Sequence, residues 1–256
     1  MKEPRMEHLN AGAAAPLARR DTPKALPKRL YREVAVAELE NAFVVMLDGK
    51  PALTPARGRV ALPNLATARA VAAEWANQGD VVNPAEMPLT RLVNSAIDGV
   101  ARNTEAVRAD VVNYARSDLL CYRAGEPESL VLAQNEAWTP VLDWARETFG
   151  VRLALSQGVV FVEQPPAAIA AIGEAVAQVP SPIALTAVHV MTTLTGSALL
   201  ALAVAAGHLS AQEAWRAAHI DEDFQIFAWG ADSESMARRE RRWREMEAAA
   251  RLVEAA

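Results

Sequence analysis

The sequence lacks the cysteine patterns that support disulfides and many metal sites. Cys121 is the only cysteine among 256 residues, which excludes an intrachain disulfide and a multi-cysteine zinc site. In "SDLLCYRAG" this cysteine follows two leucines, so we expect a buried structural thiol. A single thiol of this kind is typical of a protein from a reducing compartment.

The motifs of the common nucleotide, hydrolase and metal chemistries are also missing. There is no phosphate-binding loop, since Lys50 is followed by Pro51 in the turn-like "DGKPALT". No dinucleotide-binding glycine pattern, nucleophile elbow around Ser197, zinc-protease histidine pair or calcium loop occurs. These absences count against those chemistries, and we predict no catalytic residue, no metal and no cofactor.

Acidic residues outnumber basic ones after the first segment, since residues 30–256 carry 28 Asp/Glu against 19 Lys/Arg. The net charge is -5, so we expect no nucleic-acid partner. Residues 1–29 carry seven Lys/Arg against three Asp/Glu, whereas Lys50 is the only lysine in the rest of the chain. The remaining body is acidic, which favours a basic partner.

The N-terminal residues 1–29 contain four prolines and no apolar periodicity, which predicts a disordered tail. An organelle transit peptide is the alternative, but Glu3, Glu7 and Asp21 count against it. Residues 1–20 have no continuous apolar core, so no secretory signal is predicted. We therefore expect a bacterial cytoplasmic protein, or a mitochondrial matrix protein if the source is eukaryotic.

A long uncharged segment covers residues 183–207 and has the length to span a bilayer. His189 and several threonines interrupt it, and no flanking positive cluster orients it. We predict a central buried helix without stable membrane insertion. A membrane-anchored factor remains the competing interpretation.

Most strand signals lie before residue 64. Two β-rich runs, 31–37 and 42–47, are separated by "ELEN", and Asp48-Gly49 leads to a third run at 51–54. A three-stranded meander is the simplest account, and "RVALP" would add another strand. The helical pattern of "NLATARAVAAEWANQG", with Asn64 as N-cap and Gly79 as stop, predicts a helix that covers one face of the meander.

Most of the remaining chain has helical periodicity. We predict an α+β protein with a disordered tail over 1–29, a strand-rich domain over 30–85 and a larger helical domain over 86–256. Residues 159–163, "VVFVE", indicate a short strand within the helical domain. The predicted helices cover residues 89–101, 104–116, 128–148, 166–178, 183–206, 210–229 and 233–253.

The stretch "HIDEDFQIFAWGADSE" combines a histidine, a run of three consecutive acids and three aromatic residues. His219 and Asp223 are four residues apart on the predicted helix 210–229, so a metal site or a small-ligand site there is the alternative function. The three acids 221–223 point about 100° apart on a helix and cannot converge on one substrate atom. The helix has two apolar faces: a core stripe of Ala217, Ile220, Phe224, Phe227 and Ala228, and an opposite face of Trp215, Glu222, Ile226 and Trp229.

Charged residues of the last predicted helix can pair four residues apart, as Glu234–Arg238, Glu240–Arg244 and Arg241–Glu245. A solvated salt-paired face accounts for this pattern without function. The functional interpretation makes Glu240, at the edge of an apolar stripe, a contact for a basic partner.

Several segments, in this order and spacing, resemble the assembly chaperones for the alpha subunit of the ATP synthase catalytic head. The resemblance extends from about residue 30 to about residue 245. It is carried by "YREV" (31–34), "LDG" with "LTP" (47–55), "EW" (74–75), "MPLTRL" (87–92), "DLLCYR" with "EPESL" (118–130), "LDWARETFGV" (142–151), "LTGSALLALAV" (194–204) and "DEDFQIFAWG" (221–230).

The resemblance implies a strand-containing domain before a helical one, no enzymatic activity, and a role in holding the free alpha subunit until the beta subunit replaces the chaperone. It also implies that the acidic C-terminal stretch contacts the alpha subunit, with Glu240 as the favoured acid. The candidates carried over are Glu222, Trp229, Asp232, Glu234 and Glu240, with Trp75 for fold or interface.

Overall fold

The computed structural model describes residues 25–254. Most of the predicted disordered tail, and the transit-peptide alternative, lie outside these residues. The prediction of disorder is wrong for the last residues of this tail. The backbone N–H of Arg29 donates to the carbonyl of Asp80 over 2.9 Å, and the N–H of Val82 donates to the carbonyl of Pro27 over 2.8 Å. Residues 27–29 are therefore fixed against the connection that follows the first helix.

A small antiparallel sheet forms the N-terminal part. Strand β1 is Val34–Leu39, β2 is Ala42–Leu47, β3 is Lys50–Pro51 and β4 is Ala61–Leu62. Strands β1, β2 and β3 follow one another as the predicted meander, and β4 also pairs with β2. Positive φ angles at Glu40, Asn41, Asp48 and Gly49 make the two tight turns, because φ above zero at both central residues matches the twist of the joined strands.

Helix α1, Leu65–Ala76, covers this sheet as predicted. Asn64 caps it by accepting the N–H of Thr67 over 2.8 Å. Its C-cap is Asn77, two residues before the predicted Gly79 stop. Near its end, the Glu74 carboxylate accepts the N–H of Leu89 and of Thr90 at 2.8 and 2.7 Å, and so holds the start of the next helix.

Helices make up most of the rest, and the α+β architecture agrees with the sequence prediction. The boundary near residue 85 stays a prediction; the structure has a short 3-10 turn there, Pro84–Glu86. Two short strands, β5 (Tyr122–Arg123) and β6 (Ser156–Gln157), pair in parallel. The helices are α2 Pro88–Asp98, α3 Thr104–Ala115, α4 Glu128–Phe149, α5 Pro166–Ala177, α6 Pro182–Thr195, α7 Ala198–Ala205, α8 Ala211–Ala218, α9 Ile220–Trp229 and α10 Ser233–Glu254.

The uncharged segment 183–207 forms two buried helices rather than the one predicted. Gly196 ends α6 with φ of 70°, and the Ser197 side chain caps α7 by accepting the N–H of Leu200. Helix α6 packs against α2, α3 and α10 at the centre of the helical part. Within residues 25–254, the structure contains no helix with both the length and the apolar character needed to cross a membrane.

Cys121 is buried, as predicted, in the turn before β5. Burial, with the nearby Asp118 carboxylate, raises the pKa of the thiol to about 12. A thiol with that pKa stays protonated at neutral pH and is a poor nucleophile. The cysteine therefore acts as a small apolar core residue.

Candidate partner-binding surface

The predicted helix 210–229 is interrupted at His219, whose φ and ψ of −115° and 19° separate α8 from α9. The His219 side chain is only 4% exposed. Its Nδ1 lies 2.8 Å from the carbonyl oxygen of Trp215, and the two ring centroids are 3.8 Å apart. Burial lowers the pKa of His219, so the ring is neutral at physiological pH.

His219 is the N-cap of α9 and its carbonyl accepts the N–H of Asp223 over 2.8 Å, so the two residues lie one helical turn apart, but their side chains have different partners. Asp223 forms an ion pair with Arg239 of α10, with 2.5 Å between Oδ1 and Nη1. In the described part of the chain, no three or more His, Cys, Asp or Glu side chains are placed to hold a metal ion. Each member of the proposed pair is engaged by a different neighbour.

The three consecutive acids of α9 face three different partners. Asp221 accepts a hydrogen bond from the buried amide of Gln134 over 2.7 Å. The Glu222 carboxylate lies 3.9 Å from Nε2 of His219, and Asp223 pairs with Arg239. The acids therefore hold α9 against its surroundings and form no shared carboxylate site.

The end of α9 exposes two large aromatic side chains. Phe227 is 91% exposed and Trp229 is 83% exposed, whereas Trp215 is only 6% exposed. The predicted core stripe is therefore wrong for Phe227 and for Ala228, which is also exposed. The predicted outward face is wrong for Trp215. Because the helix is interrupted at His219, a helical wheel drawn for one continuous helix over residues 210–229 does not apply.

A groove of about 420 Å³, here called the α9 groove, lies beside this helix end. Its apolar wall combines residues from β5, α4 and α9 with the segment that follows β6. The apolar and aromatic side chains that line it include those of Tyr122, Leu130, Val159, Phe224 and Trp229. The predicted strand at 159–163 is wrong, since the strand in this region is β6, three residues earlier.

The remaining acidic candidates lie on or just before α10. Glu240 is exposed and its Oε1 lies 3.3 Å from Nε of Arg244, as predicted. Glu234 lies 4.0 Å from Arg238, also as predicted. The Asp232 carboxylate accepts the N–H of Ser235 over 2.9 Å, and this bond lowers its pKa.

The third predicted pair, Arg241–Glu245, is wrong. Glu245 instead pairs with Arg91 of α2, which joins the last helix to the start of the helical part. Arg241 is exposed.

Glu240 lies on a ridge between two depressions. With Trp243 it lines a depression of about 280 Å³ that includes Trp215 and Met236. The same two residues line another depression, of about 400 Å³, that includes Glu74. A partner that contacts Glu240 can therefore reach aromatic side chains on one side and the N-terminal part of the chain on the other.

Trp75, near the end of α1, is half-buried against Tyr31, which precedes β1. Its ring meets the ring of Tyr31 edge to face at 5.6 Å, and the Tyr31 hydroxyl donates to the Trp75 carbonyl over 2.7 Å. Of the two roles that the resemblance implied for Trp75, this position favours the one in the fold.

The exposed segment after β6, residues 159–162, was not predicted from the sequence to be part of a binding surface. The available signal was the apolar run at 159–162, directly after Gly158 and without a charged residue. An apolar run of β-forming residues was interpreted as a short strand, although the same pattern is also found at binding surfaces.

Comparison with solved structures shows this fold in a chaperone. The crystal structure of Atp12 from Paracoccus denitrificans is 39% identical, with a TM-score of 0.83 over 90% of this chain and 98% of that chain. A D-to-K mutant of P. denitrificans Atp12p matches at 38% identity and a TM-score of 0.83, over 90% and 97% of the two chains. The Atu1473 protein from Agrobacterium tumefaciens is 49% identical, with a TM-score of 0.85 over 90% and 86%.

The sequence comparison names the family. The model of the ATP12 chaperone protein family matches residues 28–146. The chain belongs to the ATP12 chaperone family, and the resemblance found in the sequence is confirmed.

Proposed function

We propose that this protein binds the unassembled alpha subunit of the ATP synthase catalytic head and prevents its aggregation until the beta subunit replaces it. The observation that carries the proposal is the pair of exposed aromatic side chains, Phe227 and Trp229, on a helix end surrounded by acids. Monomeric proteins rarely leave such groups in water unless a partner covers them. Membership of the ATP12 chaperone family supports the alpha subunit as that partner.

The proposed contact surface runs from α9 to the middle of α10. Trp229 supplies apolar area, while Asp232, Glu234 and Glu240 supply exposed negative charge. Aromatic anchors surrounded by charges are typical of protein interfaces, where the aromatic residues contribute affinity and the charges contribute steering. Glu222 is half-buried against His219, so its contribution is to orient α9.

This surface is suited to covering the apolar interface of a free alpha subunit. An alpha subunit without its neighbours exposes apolar interface that aggregates. A chaperone must cover it and still be displaced by the beta subunit. Exposed charges that pair only with neighbours on the same helix are easily exchanged for charges of a partner.

The metal or small-ligand alternative, built on His219 and Asp223, is less well supported. His219 is buried against Trp215 and Asp223 pairs with Arg239, so neither is poised for a ligand. We also propose a bacterial cytoplasmic location, supported by structural relatives from two bacteria.

The test is refolding of purified alpha subunit with and without this protein, followed by light scattering and size-exclusion chromatography. We expect suppressed aggregation and a stable complex with the wild-type chain. The double variant Phe227→Ser/Trp229→Ser should lose most of this effect. Leu132→Ser, which removes an exposed apolar side chain on α4, is the matched control and should behave as wild type. No complex and unchanged aggregation with the wild-type protein would refute the proposal.

A further inference from the structure

The segment after β6 has the residues of a strand and no strand to pair with. Val159, Val160 and Phe161 are 97%, 69% and 67% exposed. Within residues 25–254, the backbone N–H groups of 159–162 donate to no acceptor. Three exposed apolar side chains in succession, with unpaired backbone donors, form the kind of edge that proteins normally protect.

The α9 groove lies directly beside this segment and shares Val159 with it. The two charged side chains that line the groove are already engaged. Arg123 donates to the carbonyls of Leu120 and Gln134 at 3.1 and 3.2 Å, and Asp221 accepts from the Gln134 amide. Both charged groups therefore have hydrogen-bond partners within the protein, and most of the remaining lining is apolar, which favours an uncharged occupant.

Hydrogen bonding determines which backbone conformation the segment bound in the groove must have. A helix uses its own carbonyls internally and cannot satisfy the unpaired donors of 159–162. An extended chain has free carbonyls and N–H groups along its edge, and recognition by strand addition uses them. The β-branched and aromatic residues here also have high strand propensity once a partner strand is present.

We propose that residues 159–162 become a β-strand by pairing with an extended, uncharged, apolar segment of the alpha subunit, whose side chains enter the α9 groove against Trp229. This inference rests on the proposed function and adds the mode of binding to it. The same segment of a second copy is a poorer occupant. It already forms a wall of its own groove, so pairing two copies would leave both grooves open.

The test compares proline with alanine at Val160 and at Phe161 in the full-length protein. Proline removes the backbone donor, whereas alanine removes only the side chain. Successive N–H groups of a strand point to opposite edges, so proline should weaken alpha-subunit binding at one of the two positions and much less at the other. We expect that variant to lose about tenfold or more in affinity, the equivalent of about 1.4 kcal/mol, while its alanine counterpart loses less.

Hydrogen exchange gives an independent readout on the wild-type complex. The amides of 159–162 should exchange at least about tenfold more slowly with the alpha subunit bound than without it, since paired backbone groups are protected. Unchanged exchange in this segment, or equal losses for the proline and alanine variants, would overturn strand pairing while leaving the proposed function intact. Absence of any complex with the wild-type chain would overturn both.

Light scattering of the free protein tests whether a second copy of this chain is the segment that pairs with residues 159–162. A monomer, or a dimer that persists in the proline variants, supports the alpha subunit as the occupant. A dimer that dissociates in the proline variants, with unchanged affinity for the alpha subunit, would overturn the proposal in favour of self-pairing.

Discussion

The side chains of Gln134 and Asp221 join α4 to α9. Nε2 of Gln134 donates to Oδ1 of Asp221 over 2.7 Å, and Oε1 of Gln134 accepts the N–H of Ala124 over 2.8 Å. Gln134 is buried, so one amide links α4, the loop after β5 and α9 away from solvent. The first acid of the "DED" run is therefore an anchor that sets the position of the exposed helix end.

Replacement of that amide should loosen α9. We expect Gln134→Leu to lower the free energy of unfolding by about 1–3 kcal/mol, because Asp221 and the Ala124 N–H lose their buried partner. Urea denaturation measures the loss, and faster hydrogen exchange in α9 should accompany it. Asp221→Asn keeps an acceptor oxygen and should cost less. A Gln134→Leu protein as stable as wild type would contradict the anchoring role.

Glu240→Lys should weaken binding to the alpha subunit with little effect on stability. Its ion pair with Arg244 is exposed and is worth only about 0.3–0.5 kcal/mol. We expect an affinity loss of about tenfold by calorimetry and a nearly unchanged thermal melt. Glu40→Lys, in the β1–β2 turn, makes the same charge change on another exposed glutamate and should bind as wild type. A large fall in melting temperature would instead make Glu240 structural.

Substitutions of Trp75 should act on stability rather than on binding. Trp75→Ala removes the edge-to-face contact with Tyr31 and should cost about 2–4 kcal/mol in chemical denaturation. Trp75→Phe keeps an aromatic ring and should cost less, with affinity for the alpha subunit within about twofold of wild type. Reduced affinity of the Trp75→Phe protein at unchanged stability would show that Trp75 contacts the partner.

Asp118 should give the protein a pH-dependent stability. The carboxylate is fully buried and accepts the N–H groups of Leu120 and Leu199 at 3.1 and 3.2 Å. Burial raises its pKa from 3.8 to about 6. Because the folded-state pKa lies above the unfolded one, the contribution to stability is fully present below pH 3.8 and is lost as the pH rises through about 6.

Asp118→Asn removes this titration. Relative to the variant, the wild-type free energy of unfolding should fall by about 3 kcal/mol between about pH 4 and pH 7, since each pKa unit corresponds to about 1.4 kcal/mol. Other carboxylates titrate in both proteins, so the difference between the two curves isolates Asp118. A difference that stays constant across this range would show that its pKa is not raised.

Local signals in the sequence predict most of the helices and strands. The errors arise where contacts between residues far apart in the sequence determine the structure. The cap at Asn64 involves Thr67, only three positions away, so the sequence alone predicts it. The break at His219 depends on packing against Trp215 and has no cap motif. Glu245 pairs with Arg91, 154 positions earlier, rather than with the neighbouring arginine that helical spacing offers.

The exposed surface was the least predictable part, for a related reason. Phe227 and residues 159–162 have the composition of core residues, and composition alone assigns them to the interior. Whether an apolar residue is buried depends on which element covers it. Within residues 25–254 these side chains are largely uncovered, and the segment at 159–162 has no partner strand.

Helix α10 also determines when the chain can complete its own core. Met246, Ala249 and Leu252 of this helix are buried, Arg242 donates to the Leu194 carbonyl of α6 over 2.7 Å, and Glu245 pairs with α2. The ribosome makes α10 after every element on which it packs. A nascent chain that lacks α10 leaves the apolar faces of α2 and α6 that pack against it in water, so these faces are covered only once synthesis has passed residue 252.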